Sequence, residues 1–227
     1  MHFRRLLYGL LALVTACVAD RDPPAPSDAR FFPLISGKER VYRVMDTTFQ
    51  ANDTLAQAYL RRERTGDPIT DLSGRKVYLL DVDTSSAGIF SDDRVAARWT
   101  QFRDNAWAER TEETVRYLAL KFPARTGDSW NGNTYNALGE QKYRYLSADT
   151  TVTVNGVRYE HCVVVEENRI DYLFTRDVLK YEIYAPGIGK IGRYFRDLAY
   201  TFEGGVLKFD PSNSHIQVEI LISHNYE

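Results

Sequence analysis

The chain has 227 residues, of which 29 are basic and 31 acidic, for a formal charge of −2. That balance leaves no basic footprint for nucleic acid or for anionic lipid headgroups, which excludes nucleic acid as a partner. No internal stretch reaches the roughly twenty apolar residues that a membrane-spanning helix needs.

The first element is a signal segment, residues 1–16. Met1-His2-Phe3-Arg4-Arg5 is a short basic start, and an apolar run follows from Leu6 to Ala16. Val14-Thr15-Ala16-Cys17 places small residues before a cysteine, the pattern of a bacterial lipoprotein signal. Cys17 is then the expected lipidation site and the new N-terminus, and the membrane is a partner through the anchor. Each acyl methylene buried in lipid is worth about 0.8 kcal/mol, so two or more chains give stable attachment where one is marginal. Cleavage removes Arg4 and Arg5, which leaves 27 basic against 31 acidic residues and a charge of −4. Residues 17–30, polar and proline-rich, read as an extended tether. Residues 31–227 suit one globular domain with its own core.

That domain reads as β throughout. Strands are expected at Glu39–Phe49, Gln57–Arg64, Lys76–Asp83, Arg94–Phe102, Trp107–Glu112, Thr114–Phe122 and Lys142–Ser147. Further strands are expected at Thr151–Val154, Val157–Val165, Arg169–Thr175, Leu179–Tyr184, Lys190–Arg196, Leu198–Phe202, Val206–Phe209 and His215–Ser223. Asn155-Gly156 supplies the positive φ angles of a type I′ hairpin turn, and Gly204-Gly205 marks a second hairpin. No window of helical length carries an amphipathic stripe with caps. The 15 tyrosines and 11 phenylalanines suit the half-buried positions of sheets. Tyr59-Leu-Arg-Arg-Glu-Arg-Thr65 carries a charged face, which predicts a sheet with one wet side. The fold class is therefore mainly β and antiparallel: a bent sheet, an incomplete barrel or a sandwich, in one domain.

Candidate chemistry is sparse. Gly187-Ile-Gly189-Lys-Ile-Gly192 has dinucleotide spacing but no helix after it, so its glycines are assigned to a turn and a bulge. Asp81-Val-Asp83-Thr-Ser85 opens like a calcium loop yet lacks the bend glycine and the terminal glutamate, and is assigned to a strand end. His161, His215 and His224 have no metal-pair spacing, and His161 and Cys162 point to opposite strand faces. Cys162, within an apolar run, reads as a buried, inert thiol. Glu166-Glu167 and Asp92-Asp93 read as solvated turns. No catalytic residue, metal or cofactor is assigned. Trp130-Asn131-Gly132-Asn133-Thr134-Tyr135-Asn136 is the most distinctive cluster. It is either an ordered loop whose tryptophan plugs the core, or a recognition loop in which Trp130, Asn131, Asn133, Tyr135 and Asn136 offer aromatic faces and amides.

Several phrases together resemble a family of uncharacterised cell-envelope lipoproteins of the Bacteroidota. They are Phe31-Phe-Pro-Leu34 with Gly37 and Val41-Tyr42; Leu120-Lys-Phe-Pro123 with Trp130–Asn136 and Leu138-Gly139; Tyr184-Ala-Pro-Gly-Ile-Gly189; and Leu221-Ile222. Lys190-Ile191-Gly192 and Lys38-Glu39-Arg40 depart from the family pattern. The resemblance implies an envelope address at the outer membrane, with the periplasmic face and the cell surface both open. Asp20 and Asp22 behind Cys17 resemble a surface-export signal, interrupted by Arg21. No activity carries over. The expectation is a non-catalytic binding or accessory module whose ligand or partner is an apolar molecule, a glycan or an envelope protein. The alternative is an envelope hydrolase acting on glycans, lipids or peptides.

Overall fold

The computed structural model describes residues 28–51, 53–91, 95–172 and 175–226. The signal segment, Cys17, most of the tether, and Asp92-Asp93 lie outside the described residues. A 3₁₀ turn, Asp28–Phe31, opens the described chain. Twelve strands follow: β1 (Glu39–Gln50), β2 (Asp53–Thr70), β3 (Lys76–Ser85), β4 (Ala97–Arg103), β5 (Trp107–Glu112) and β6 (Val115–Lys121), then β7 (Ser129–Asn131), β8 (Lys142–Val154), β9 (Val157–Tyr172), β10 (Arg176–Ala185), β11 (Gly189–Glu203) and β12 (Val206–His224). They form one sheet in the order β6-β5-β4-β3-β2-β1-β12-β11-β10-β9-β8-β7. Every observed pairing is antiparallel, and β1 sits in the middle with β2 on one side and the last strand on the other. The sheet curls until its edges, β6 and β7, approach each other, and Leu118 N donates to Gly132 O at 2.8 Å. Of the expected architectures, the incomplete barrel is the one that forms. Among the described residues no helix is long and apolar enough to cross a membrane.

Neighbouring strand predictions fuse. Lys142–Ser147 and Thr151–Val154 are one strand, β8, whose register slips between Tyr145 and Val152. The two segments predicted from Lys190 to Phe202 are likewise β11, with a slip between Asp197 and Ala199. An extra residue at a bulge breaks the inside–outside alternation without ending the ladder. Read along the chain, such a slip looks like a strand end. The Asn155-Gly156 turn has φ of 50° and 79°, as the type I′ reading requires, and Gly204-Gly205 closes the second hairpin. The three residues of β7 are too few to show a period, so along the sequence they read as loop.

The N-terminal segment closes one end of the barrel. Asp28 Oδ2 accepts from Ala124 N at 2.7 Å, and Arg103 Nη1 donates to Ala29 O at 2.6 Å and Phe32 O at 3.1 Å. Gly187 N, in the β10–β11 turn, donates to Arg30 O at 2.8 Å. These bonds seat Phe31 and Phe32 in an apolar cluster with Ala108, Leu120, Trp130, Tyr145 and Val163. A second cluster packs Tyr42, Val44, Cys162, Ile191 and Leu221. The Val, Leu, Ile and Phe side chains among them each contribute about 1.5–3 kcal/mol on full burial. Cys162 has no exposed surface, and burial raises its thiol to about 11, so it is inert as expected.

Candidate functional site

The lumen is lined with charge. Strand pairing aligns Arg40 with Glu63, Tyr42 with Arg61 and Val44 with Tyr59 on β1 and β2. It also sets Glu219, Arg193 and Glu182 side by side on β12, β11 and β10. Residues paired across antiparallel strands project to the same face, so opposite charges alternate along one rung. Long side chains then reach across. Arg110 Nη2 on β5 meets Glu182 Oε1 at 3.0 Å, Arg61 Nη2 meets Glu219 Oε2 at 2.5 Å, and Lys190 Nζ meets Glu63 Oε1 at 3.2 Å. Tyr184 donates its hydroxyl to Glu182 Oε2, and Tyr42 donates to Lys190 O at 2.9 Å. Tyr42 and Glu182 have 0% exposure, so no water-sized space borders them.

The titration of these groups follows from that packing. Burial by itself would raise Glu63, but Lys190, Arg61 and Arg40 override it and hold the carboxyl well below the usual range. Glu182 is lowered against its burial by Arg110, Lys190 and Arg193, and Glu219 by Lys190, Arg61 and Arg193. Glu167 goes the other way. Burial and the neighbouring Glu182 charge raise it, although Lys180 Nζ lies 2.6 Å away. A buried charge persists only when paired, and here each carboxylate sits against one or more cations.

This corrects two sequence expectations. Glu166-Glu167 is no solvated turn: both residues are buried within β9. The charged face of Tyr59–Thr65 is no wet face either, because Arg61, Glu63 and Thr65 are buried inside the barrel. The sequence carried a faint signal in the alternate spacing of Arg61, Glu63 and Thr65. Period two says that residues share a face and cannot say which face is dry.

The Trp130–Asn136 loop is the seam of the barrel. Trp130 is buried, and its Nε1 donates to Leu118 O at 2.9 Å, while Asn136 Nδ2 donates to Arg116 O at 2.9 Å. Both acceptors belong to the exposed edge of β6, which would otherwise stand as an unpaired ladder. The amides also bind the loop to itself. Asn131 Oδ1 accepts from Asn133 N at 2.9 Å and Gln141 N at 3.0 Å. Asn133 Nδ2 donates to Gly139 O at 2.9 Å, and its Oδ1 accepts from Asn136 Nδ2 at 3.1 Å. Gly132 has no substitute here, since a Cβ would lie 2.3 Å from the Tyr143 ring. The loop thus brings all five anticipated residues together. Their amides turn inward to the seam, while the half-buried Tyr135 ring lies 4.2 Å under the Arg116 guanidinium.

Other candidates resolve into structure. Asp81 accepts from Nε and Nη2 of Arg98, and Asp83 pairs with Arg62 at 2.9 Å. His161 meets Asp149 at 2.9 Å on the outside, away from Cys162, and His215 meets Asp46 at 2.8 Å. Gly187 and Gly189 form the β10–β11 turn. Among the described residues no cluster of His, Cys, Asp or Glu is placed to hold a metal ion.

No family model matches the sequence, and no curated protein matches it significantly. Two solved structures show a weak similarity to the chain. A Bacteroides fragilis protein, described as exported and with a YmcC-like fold, is 12% identical, with a TM-score of 0.40 over 86% of this chain and 98% of that one. A DUF1329 family protein from Desulfovibrio piger is 9% identical, with a TM-score of 0.22 over 85% and 86% of the two chains. At these values the likeness carries no functional argument.

Proposed function

We propose that this chain is an exported, lipid-anchored envelope protein that serves as a non-catalytic binding or accessory module, acting through its outer wall. The observation that carries the reading is the self-compensated lumen. Its central carboxylates lie against cations, and Tyr42 and Glu182 border no water-sized space. An apolar ligand would have to displace ion pairs to enter, at a desolvation cost of several kcal/mol per ion. A hydrolase would need a carboxylate free to move a proton onto a substrate, and the lumen carboxylates face protein cations. Recognition therefore falls to the outer surface, with a glycan or an envelope protein as partner. Val14-Thr15-Ala16-Cys17 and the resemblance to Bacteroidota lipoproteins support the anchor.

Metabolic labelling with a fatty acid tests the anchor. The wild type should take up label and Cys17→Ser should not; no uptake, or equal uptake, overturns it. Native mass spectrometry of protein extracted from membranes tests the filled lumen, with no enclosed lipid expected beyond the covalent chains. A lipid retained inside the barrel overturns the outer-wall reading.

A further inference from the structure

We infer that the cleft between Arg75 and Arg116 on the outer wall binds a small ligand through a single carboxylate group. This deepens the outer-wall reading and rests on it. The cleft encloses about 240 Å³ over β3 to β6, with Thr100, Phe102 and Thr111 in its lining beside the two arginines. Its centre is Glu109, 2% exposed, which accepts from Trp107 Nε1 at 2.7 Å and from Arg75 Nη1 at 3.1 Å. Arg116 Nε lies 3.5 Å from the same carboxylate. Glu109 is a positioning residue, since it fixes where both guanidinium groups stand.

Two aromatic rings complete the positioning. The Arg75 guanidinium lies 4.7 Å over Phe102, and that of Arg116 lies 4.2 Å over Tyr135 of the seam loop. A planar guanidinium stacked on a ring loses little further freedom when it binds, and its free edge matches a carboxylate with two parallel hydrogen bonds. Free edges exist. Arg75 gives Nε to Asp71 at 2.9 Å and Nη1 to Glu109, which leaves Nη2. Among the described residues the terminal nitrogens of Arg116 have no protein hydrogen-bond partner, and its side chain is 34% exposed.

The local charge selects the class of anion. Arg75 and Arg116 are offset by Asp71 and Glu109, so the empty cleft is formally neutral. A carboxylate brings one negative charge to the free edge of Arg116 and the remaining nitrogen of Arg75. A phosphate dianion brings two, beside two fixed carboxylates, and is disfavoured. Thr100 and Thr111 hydroxyls and the Phe102 ring would then contact the body of the ligand, the usual mix of apolar wall and a few polar groups in a small-molecule site.

The test uses the purified full chain and sodium glucuronate as a hydroxylated carboxylate, read by saturation-transfer NMR and calorimetry. Glucose, which lacks the carboxylate, and inorganic phosphate are the comparison probes. Glucuronate should bind, glucose at least about tenfold more weakly, and phosphate no more tightly than glucuronate. Arg116→Gln should weaken glucuronate by about tenfold or more, whereas Arg98→Gln, elsewhere on the same wall, should leave it unchanged. In the wild type, glucuronate should slow phenylglyoxal modification of Arg116, which needs no variant to fold. Absence of glucuronate binding at millimolar concentration, equal binding of glucose, tighter binding of phosphate, or affinity insensitive to Arg116→Gln each overturns the inference. If any of these occurs while fatty-acid labelling and the lipid-free lumen stand, the carboxylate site alone fails.

Discussion

Glu182 in the lumen and Glu109 on the outer wall are built from the same parts. Each is a buried carboxylate between two arginines, with an aromatic side chain donating to it: Tyr184 to Glu182, Trp107 to Glu109. They differ in what the arginines meet next. Arg193 goes on to Glu219 and Arg110 to Glu112, so the lumen network closes on protein. Arg75 and Arg116 turn their remaining edges to a cleft and to solvent. A closed network is scaffold, because its cations are buried among protein carboxylates; the same motif left open at one edge can recognise something. Side-chain chemistry is shared, and burial of the far edge decides the role.

Removing each carboxylate is the largest way to break that comparison. Glu182→Ala should cost about 3–5 kcal/mol in chemical denaturation, since it removes a buried carboxylate shared by Arg110, Lys190 and Arg193 and leaves excess positive charge in the lumen. Glu109→Ala should cost about 1.5–3 kcal/mol, because water can reach the exposed edges of Arg75 and Arg116. Equal losses would erase the distinction between a closed and an open network. Next is Trp130→Phe, which keeps most of the ring but leaves Leu118 O without its donor, at about 1–3 kcal/mol. Because the seam loop carries Tyr135, this variant should also broaden the Tyr135 resonances; an undisturbed loop would uncouple seam from cleft. Tyr135→Ala should cost about 1–2 kcal/mol of stability, from the cation–π contact together with the partial burial of the ring.

The smallest effect is one whose sign matters. Glu63, Glu182 and Glu219 are held below their ordinary 4.5, so their stabilisation is complete above that pH and is lost as pH falls below it. Glu167 is raised above 4.5, so it makes folding less favourable as pH rises through its folded value. Glu167→Gln should therefore gain on the wild type as pH climbs from 4.5 towards neutrality, measured by thermal melts across that range. A variant that instead loses ground with rising pH would place Glu167 with the other three.

The strands were legible because β-branched and aromatic residues alternate in them, and the Asn155-Gly156 turn because few other pairs accept two positive φ angles. The bulges were not, since one extra residue flips the apparent face and mimics a break. The Trp130–Asn136 cluster was legible as special, yet its job as the seam depends on the β6 edge, which lies apart from it in the chain. Arg75, Glu109 and Arg116 gave no sequence signal as a set. Each is an ordinary charged residue on a separate element, and only the side-by-side pairing of β3 to β6 brings them together.

The sequence by itself determined the all-β antiparallel class, the hairpin turns and the inert Cys162, because local backbone preference and apolar patterning act over a few residues. Tertiary structure alone decided that the charged face of Arg61 and Glu63 is the dry one, that the polar loop closes the barrel, and that two arginines share a cleft. The physical reason is dielectric. A carboxylate or guanidinium takes its role from how much water and which countercharge surround it, and both are set by strands distant in the chain.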